Sequence, residues 1–374
     1  MSTGNQVEKP RFFIDLLNYQ YHIGNVAIAH THHSDGDISQ NVISLNPHNM
    51  FDATHDSDNS YFKVAFKHPI SVPPGATMFV AVLGHDFATK DVRGRVLTHA
   101  GGAWAGDASN DGTISASSET CTSLVNGGAG GTNWSPLFDG WSLLTFSPGT
   151  TESISSFHLV TQNQTSSGAS DGRYGCFALG FVYEPEFHAD LKLNQSVLMD
   201  GVKNKQTKGG HTYSVMNYTK PPNWWTGSAW ELTDPNSVIP PVAFSNSRIG
   251  RRTWDISFSQ LSDRFYTSGV PNGVFPANNM VNRNLVDVTN GNYSSGEDYD
   301  SENGMFNYDI NNDRSLYSTV YHHTLGGTLP FIFSPSADNS PQNFAVCRFS
   351  KPGFKVTQSS YKKFNTKMSI QESW

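Results

Sequence analysis

Apolar and polar positions alternate most cleanly in "TWDISFSQLS" (253–262), where Trp254, Ile256 and Phe258 take one face and Asp255, Ser257 and Ser259 the other. A period of two with a single apolar face predicts a half-buried antiparallel strand. The runs "YFKVAFK" (61–67), "MFVAVLG" (78–84), "FHLVTQ" (157–162) and "CFALGFVYEP" (176–185) are aromatic and β-branched and predict further strands. "LPFIFSP" (329–335), "FAVCRFS" (344–350) and a closing segment in which Met368, Ile370 and Trp374 alternate with polar residues continue the series. One helix is predicted in "NDRSLYSTVYHHTLGG". Asp313 would be its N-cap, Leu316, Val320 and Leu325 its apolar face, and Gly326 its stop.

Strands without a βαβ alternation or a repeat of fixed period predict a mainly β protein. We expect two β-sandwich or jelly-roll-like domains with one or two short helices. The boundary falls where Pro185 and polar residues end the first strand run, giving an N-terminal sandwich over 1–186 and a β-rich assembly domain over 187–374. Composition agrees: the chain of 374 residues has 33 Gly, 19 Pro and 24 Phe, and only 15% charged residues. That balance suits short strands joined by many turns. Residues 96–172 hold no Lys or Arg and carry "AGGAWAGDASNDGTISASSET" and "NGGAGGTNW". Such stretches cannot build a core, so long surface loops are expected there.

The net charge of −7 argues against a nucleic-acid partner, which needs a basic surface to displace counterions. Arg248, Arg251 and Arg252 in "SRIGRRTW" are close together, and pairing with carboxylates is the expected use of such arginines. Cys121, Cys176 and Cys347 lie far apart with no CxxC pair, which predicts small buried hydrophobes and neither a disulfide framework nor a structural zinc site. The first residues lack the apolar run of a signal peptide, and no stretch approaches a membrane span, so synthesis in a cytoplasm and no membrane crossing are expected.

Candidate chemistry concentrates in "AIAHTHHSDGD" (27–37). "HTHHSDG" overlaps the metal motif of polymerase-and-histidinol-phosphatase phosphoesterases, but the overlap puts Ile28 where the first imidazole belongs. The strand–helix alternation of their distorted barrels is missing too. His30 and His32, two residues apart, would share one face of a strand and are the weak metal candidates. A polar loop flanked by Ser34, Asp35 and Asp37 is the preferred reading. "DYDSENGMFNYD" (298–309) has carboxylates at alternate positions but displaces the glycine that a calcium loop requires. With no GxSxG, GxxxxGK[ST], HExxH or strand-linked GxGxxG, we expect no catalytic residues, no enzyme activity and no cofactor.

Several segments in order, "RFFIDLLNYQYHIGNV", "FVAVLGHDF", "FALGFVYEPEFHADLKL", "DGVKNKQTKGGHTYS", "GRRTWDISFSQLSD", "TLGGTLPFIFSP", "FAVCRFS" and "KMSIQESW", resemble virion structural proteins of marine tailed bacteriophages such as cyanophages. The resemblance implies a tail, baseplate or fibre-associated particle component, assembled in the host cytoplasm with itself and with other virion proteins. The first half is also similar to galactose-binding-like jelly rolls, which implies a receptor or carbohydrate-binding alternative with a host surface glycan as partner. Trp104 and Trp134 are its candidate stacking faces, while Trp141 reads as core. Trp224, Trp225 and Trp230 in "PPNWWTGSAW", together with Arg251, Arg252 and Trp374, are the candidate assembly interface, because tryptophan and arginine concentrate at interface hot spots. A metal-dependent hydrolase or depolymerase is the remote alternative.

Overall fold

The computed structural model describes residues 9–31, 42–43, 45, 51–53, 59–72, 76–100, 117–128, 131–148, 153–163, 172–185, 188–190, 194–198, 202–216, 223–224, 227–228, 251–262, 316–339, 343–360 and 363–373. They form a mainly β, sandwich-like molecule with two short helices. The larger sheet has eleven strands, all antiparallel. In spatial order its path runs Asn194–Leu198, Arg251–Ser262, Lys363–Glu372, Ala345–Phe349, Phe331–Ser334, Arg11–Asp15, Cys176–Tyr183, Met78–His85, Gly140–Phe146 and Thr122–Val125, and Val356–Ser360 pairs with Lys363–Glu372 off that path. The second sheet has six strands, built around Val26–Thr31, Asn59–Ser71, Ser153–Asn163 and Val92–Ala100.

The strand Arg11–Asp15 bridges the two expected halves. It pairs with Cys176–Tyr183 on one side and with Phe331–Ser334 on the other, so one sheet continues across the boundary placed between 186 and 187. The N-terminal half is a sandwich, and the C-terminal half extends its larger sheet. Phe12 and Ile14, opposite Tyr183 and Phe181, put the cores of both halves on one face of that sheet. Over the N-terminal half this face is closed by Phe62, Val64, Phe66, Phe157 and Leu159 of the six-stranded sheet. Over the C-terminal half, Leu316, Val320 and Tyr321 close it.

Phe13, Phe79, Ala81, Leu83, Leu143, Cys176 and Ala178 face the opposite way and are also buried. Strands buried on both faces need apolar residues at every position. That is why "MFVAVLG" and "CFALGFVY" read as continuous runs, while Arg251–Ser262, near the sheet edge, alternates. Its Trp254, Ile256 and Phe258 are buried and Ser259 is exposed, as the periodicity predicts.

The helix Leu16–His22 directly continues the strand Arg11–Asp15. Asp15 caps it by accepting from the Asn18 backbone N–H at 3.3 Å, and Gly24 leaves it at φ +77°. The second helix, Leu316–His322, is wound with π spacing and is shorter than its pattern suggested. Leu316 and Val320 are buried as expected, but Leu325 lies beyond the helix at φ +50° and is 40% exposed. Gly326 follows at φ +71°, its N–H donating to the Tyr321 carbonyl at 2.8 Å. The expected cap, Asp313, lies outside the described residues. The helices meet where Tyr19 Oη and His322 Nε2 share a hydrogen bond of 2.8 Å, and the edge of one ring packs on the other between Tyr19 and His323. That contact ties the first helix to the last third of the chain.

Candidate assembly surface

The structure redistributes the residues singled out from sequence. Trp134 is buried in the sandwich core, 5.9 Å from the Phe87 ring, and its indole fills the space over Gly94 that a Cβ would occupy. It therefore has no ring face free for a sugar, which removes it from the glycan-contact set. Trp141 is likewise core, packed edge-on against Phe344. Trp104, Trp225, Trp230 and Trp374 lie outside the described residues. Trp224 stands in a two-residue strand opposite Gly227.

Arg252 is an internal strut. Its backbone N–H donates to Glu372 Oε2 at 2.8 Å, and its Nη2 reaches Glu372 Oε1 at 2.9 Å and the Phe344 carbonyl at 3.1 Å. The guanidinium also lies 5.1 Å from the Trp254 ring. These contacts agree with the expected carboxylate pairing. Because Glu372 is wholly buried, truncation leaves a cation without its partner. Glu372→Ala is expected to cost about 3 kcal/mol, measured as a lowered urea midpoint with an unchanged slope. A midpoint within error of the parent would refute the strut.

The histidine segment is a strand where it is described. Val26–Thr31 pairs with Asn59–Ser71, and His30 stands opposite Phe62, in a row that continues through Leu159 and Val96. The polar loop expected from 27 is therefore strand up to Thr31, which pairs with a neighbour instead of turning. His32 lies outside the described residues, as do His33, Asp35 and Asp37.

One pair of side chains that sequence reasoning missed has the composition of a catalytic dyad. His85 Nε2 and Ser142 Oγ are 2.8 Å apart on neighbouring strands, and Ser142 Oγ donates to the Asn126 carbonyl at 2.9 Å. The single hydroxyl proton is thus committed, so His85 Nε2 must donate to Ser142 and does not accept from it. Burial pushes the His85 imidazole down to about 3, so it stays neutral, and its ring stacks on Phe87 at 4.8 Å. Both residues are fully buried. This pair joins the strands and does not activate a nucleophile. Among the described residues, no group of His, Cys, Asp or Glu is placed to hold a metal ion.

Among the described residues, an accessible feature is the terminal strand of the larger sheet. Asn194–Leu198 is a terminal strand, paired only with Arg251–Ser262 among the described residues, and all five of its residues are exposed. Val197 is 53% and Leu198 45% exposed. The strand carries no charge, proline or bulge, the usual devices that stop an edge from recruiting another strand. Directly after it, Val202–Gln206 and Thr212–Met216 form a hairpin that pairs only with itself among the described strands. Residues 203–214 are exposed throughout, Tyr213 to 62%. Lys203, Lys205 and Lys208 make this hairpin basic, with no acid between 202 and 216. Its turn residue Gly210, at φ +85°, explains the "KGG" that sequence reading left unused.

No family model matches the chain, and comparison with curated proteins and with solved structures gives no match.

Proposed function

We propose that this chain is a non-enzymatic structural component of a tailed-phage virion, associated with tail, baseplate or fibre. It acts by joining copies of itself and other virion proteins, and it is assembled in the host cytoplasm. The observation that carries this reading is the exposed strand Asn194–Leu198, paired on one side only among the described residues. A monomeric protein gains nothing from that liability, whereas an assembling one uses it as a joint. The order of segments resembling phage structural proteins supplies the particle context. The receptor-binding alternative loses Trp134 to the core, and the His85–Ser142 and Ser156–His158 pairs are both buried.

The reading is tested by quantitative mass spectrometry of purified particles. The chain is expected at a fixed small-integer ratio to the tail-tube protein through successive density gradients. Particles that lack it, or carry it only at levels that fall with each purification, would refute the assignment.

A further inference from the structure

Charge is spread unevenly along this chain. Residues 201–230 hold Lys203, Lys205, Lys208 and Lys220 and no Asp or Glu, with Asp200 and Glu231 as the flanking acids. The rest of the chain keeps 21 of the 25 Lys and Arg and all 32 Asp and Glu. The hairpin of Val202–Gln206 and Thr212–Met216 lies within this acid-free interval. Its register sets Lys205 opposite Tyr213 and Asn204 opposite Ser214. Ser214 Oγ donates to Asn204 Oδ1 at 2.7 Å, so those two side chains share one face. Gln206 and Thr212 lie on the same uncharged face.

Lys203, Lys205 and Tyr213 therefore occupy the other face. The two lysines are one pleat repeat apart, about 6.8 Å along the strand. Tyr213, 62% exposed, stands about 5 Å across from Lys205. The Thr207 N–H donates to the His211 carbonyl at 2.9 Å and the Gly210 N–H to the Thr207 carbonyl at 3.0 Å, which closes the turn without a ligand. Among the described residues, no ion pair or hydrogen bond holds the ammonium group of Lys203, Lys205 or Lys208. Lys67, by contrast, donates to the Gly24 carbonyl at 2.7 Å.

We propose that the face carrying Lys203, Lys205 and Tyr213 binds an acidic polysaccharide built of uronate rings. Binding of this kind goes beyond the virion assignment and does not rest on it. The lysines take carboxylates, and the tyrosine ring covers the apolar C–H face of a sugar. A polyuronate carries one charge per ring, which a short basic face can match. Duplex DNA carries a charge about every 1.7 Å and needs a longer basic track. The acid excess in the rest of this chain would repel it. An acidic peptide would use the lysines but leave Tyr213 without a ring to cover.

The test is calorimetric titration of the full chain with hexagalacturonate at about 50 mM salt, where exposed charges are weakly screened. Parent protein is expected to bind, and to lose binding at about 0.5 M salt, a readout that needs no variant. Lys203→Gln with Lys205→Gln is expected to weaken binding at least roughly tenfold, and Tyr213→Ala roughly threefold or more. Lys351→Gln with Lys355→Gln makes the same change of charge at two exposed lysines elsewhere and is expected to keep the parental affinity. The fully methyl-esterified hexamer has the rings without the charge, hexaglutamate the charge without the rings, and oligothymidylate a denser charge. All three are expected to bind more weakly than hexagalacturonate. No binding by the parent, equal losses in the two lysine pairs, or binding that survives high salt would overturn the proposal. So would a comparator that binds as tightly: the ester would remove the role of charge, hexaglutamate would point to an acidic protein segment, and oligothymidylate to a nucleic acid.

Discussion

Replacing Gly180 by alanine is expected to leave the chain without its native fold. A Cβ at Gly180 would lie 1.8 Å from the Ile14 carbonyl oxygen and 2.6 Å from the Leu16 backbone N. Both are main-chain atoms, and they sit where Arg11–Asp15 turns into the first helix while Gly180 pairs with Asp15. A crowding side chain can rotate away, but a ladder carbonyl cannot move without breaking its hydrogen bonds. Relief would separate the strand that joins the two halves of the larger sheet. The expected loss exceeds about 4 kcal/mol, beyond the range of ordinary core substitutions. Gly24→Ala is the control: its Cβ meets nothing within 4 Å, so only the strain of φ +77° remains, about 1 kcal/mol. Soluble expression followed by urea unfolding separates the two. A Gly180→Ala protein with the parental midpoint would show that the strand and helix are not held this closely.

Stability is expected to peak near pH 6.5 and to fall on both sides. Burial pushes the Asp15 carboxyl up to about 8, against the pull of the Asn18, Leu179 and Leu17 backbone amides. Burial pushes His85 down to about 3. His158 goes down to about 4, through burial first and then the nearby charges of Lys63 and His99. Stability rises with pH wherever the unfolded chain binds more protons than the folded one. Between about pH 6.5 and 8 the folded chain keeps the Asp15 proton that the unfolded chain has lost, so stability falls as pH rises. Between about pH 4 and 6.5 the unfolded chain holds protons on both histidines, and the folded chain holds one on Asp15. Stability in that window therefore falls as pH drops.

Asp15→Asn retains a side-chain oxygen for the helix cap and removes the ionisation. It is expected to abolish most of the decline above pH 6.5, a difference of roughly 2 kcal/mol at pH 8. Melting temperature across pH 4–9 for parent and variant measures it. Identical alkaline limbs would mean that Asp15 ionises freely in the fold.

Much of the strand content was legible because burial leaves a local trace. "TWDISFSQLS" alternates since one face of that strand meets the core. "MFVAVLG" and "CFALGFVY" do not alternate, since both faces are covered. The first helix left a fainter trace. Asp15 followed by "LLNYQ" is a capped start, but seven residues give less than two turns of periodicity, and the strand before it masks the change of period. The second helix was found with its end misplaced, because Leu325 fits the helical spacing although the backbone has already turned at that residue.

The site was less legible than the fold. Chemistry offers Trp134 as a stacking face for a glycan and Arg252 as an interface residue, yet Trp134 fills the hollow over Gly94 and Arg252 holds Glu372. Composition says what a side chain can do, and only packing says which way it points. Conversely, "NQSVL" has no chemical signature. Its interest arises solely from its position at the end of a sheet.

The sequence by itself determined that this is a β protein of many short strands, with buried cysteines outside any disulfide and a chain-wide shortage of charge. These follow from local periodicity and from residue preferences, which act over a few positions. Tertiary structure alone decided that Arg11–Asp15 joins strands from both halves into one sheet, that His85 and Ser142 meet inside the core, and that Asn194–Leu198 pairs on one side only among the described residues. Each of these depends on pairing between residues far apart in the chain, in some cases by hundreds of positions. Strand pairing is set by which complete set of ladders buries the most apolar surface, and no single segment carries that comparison.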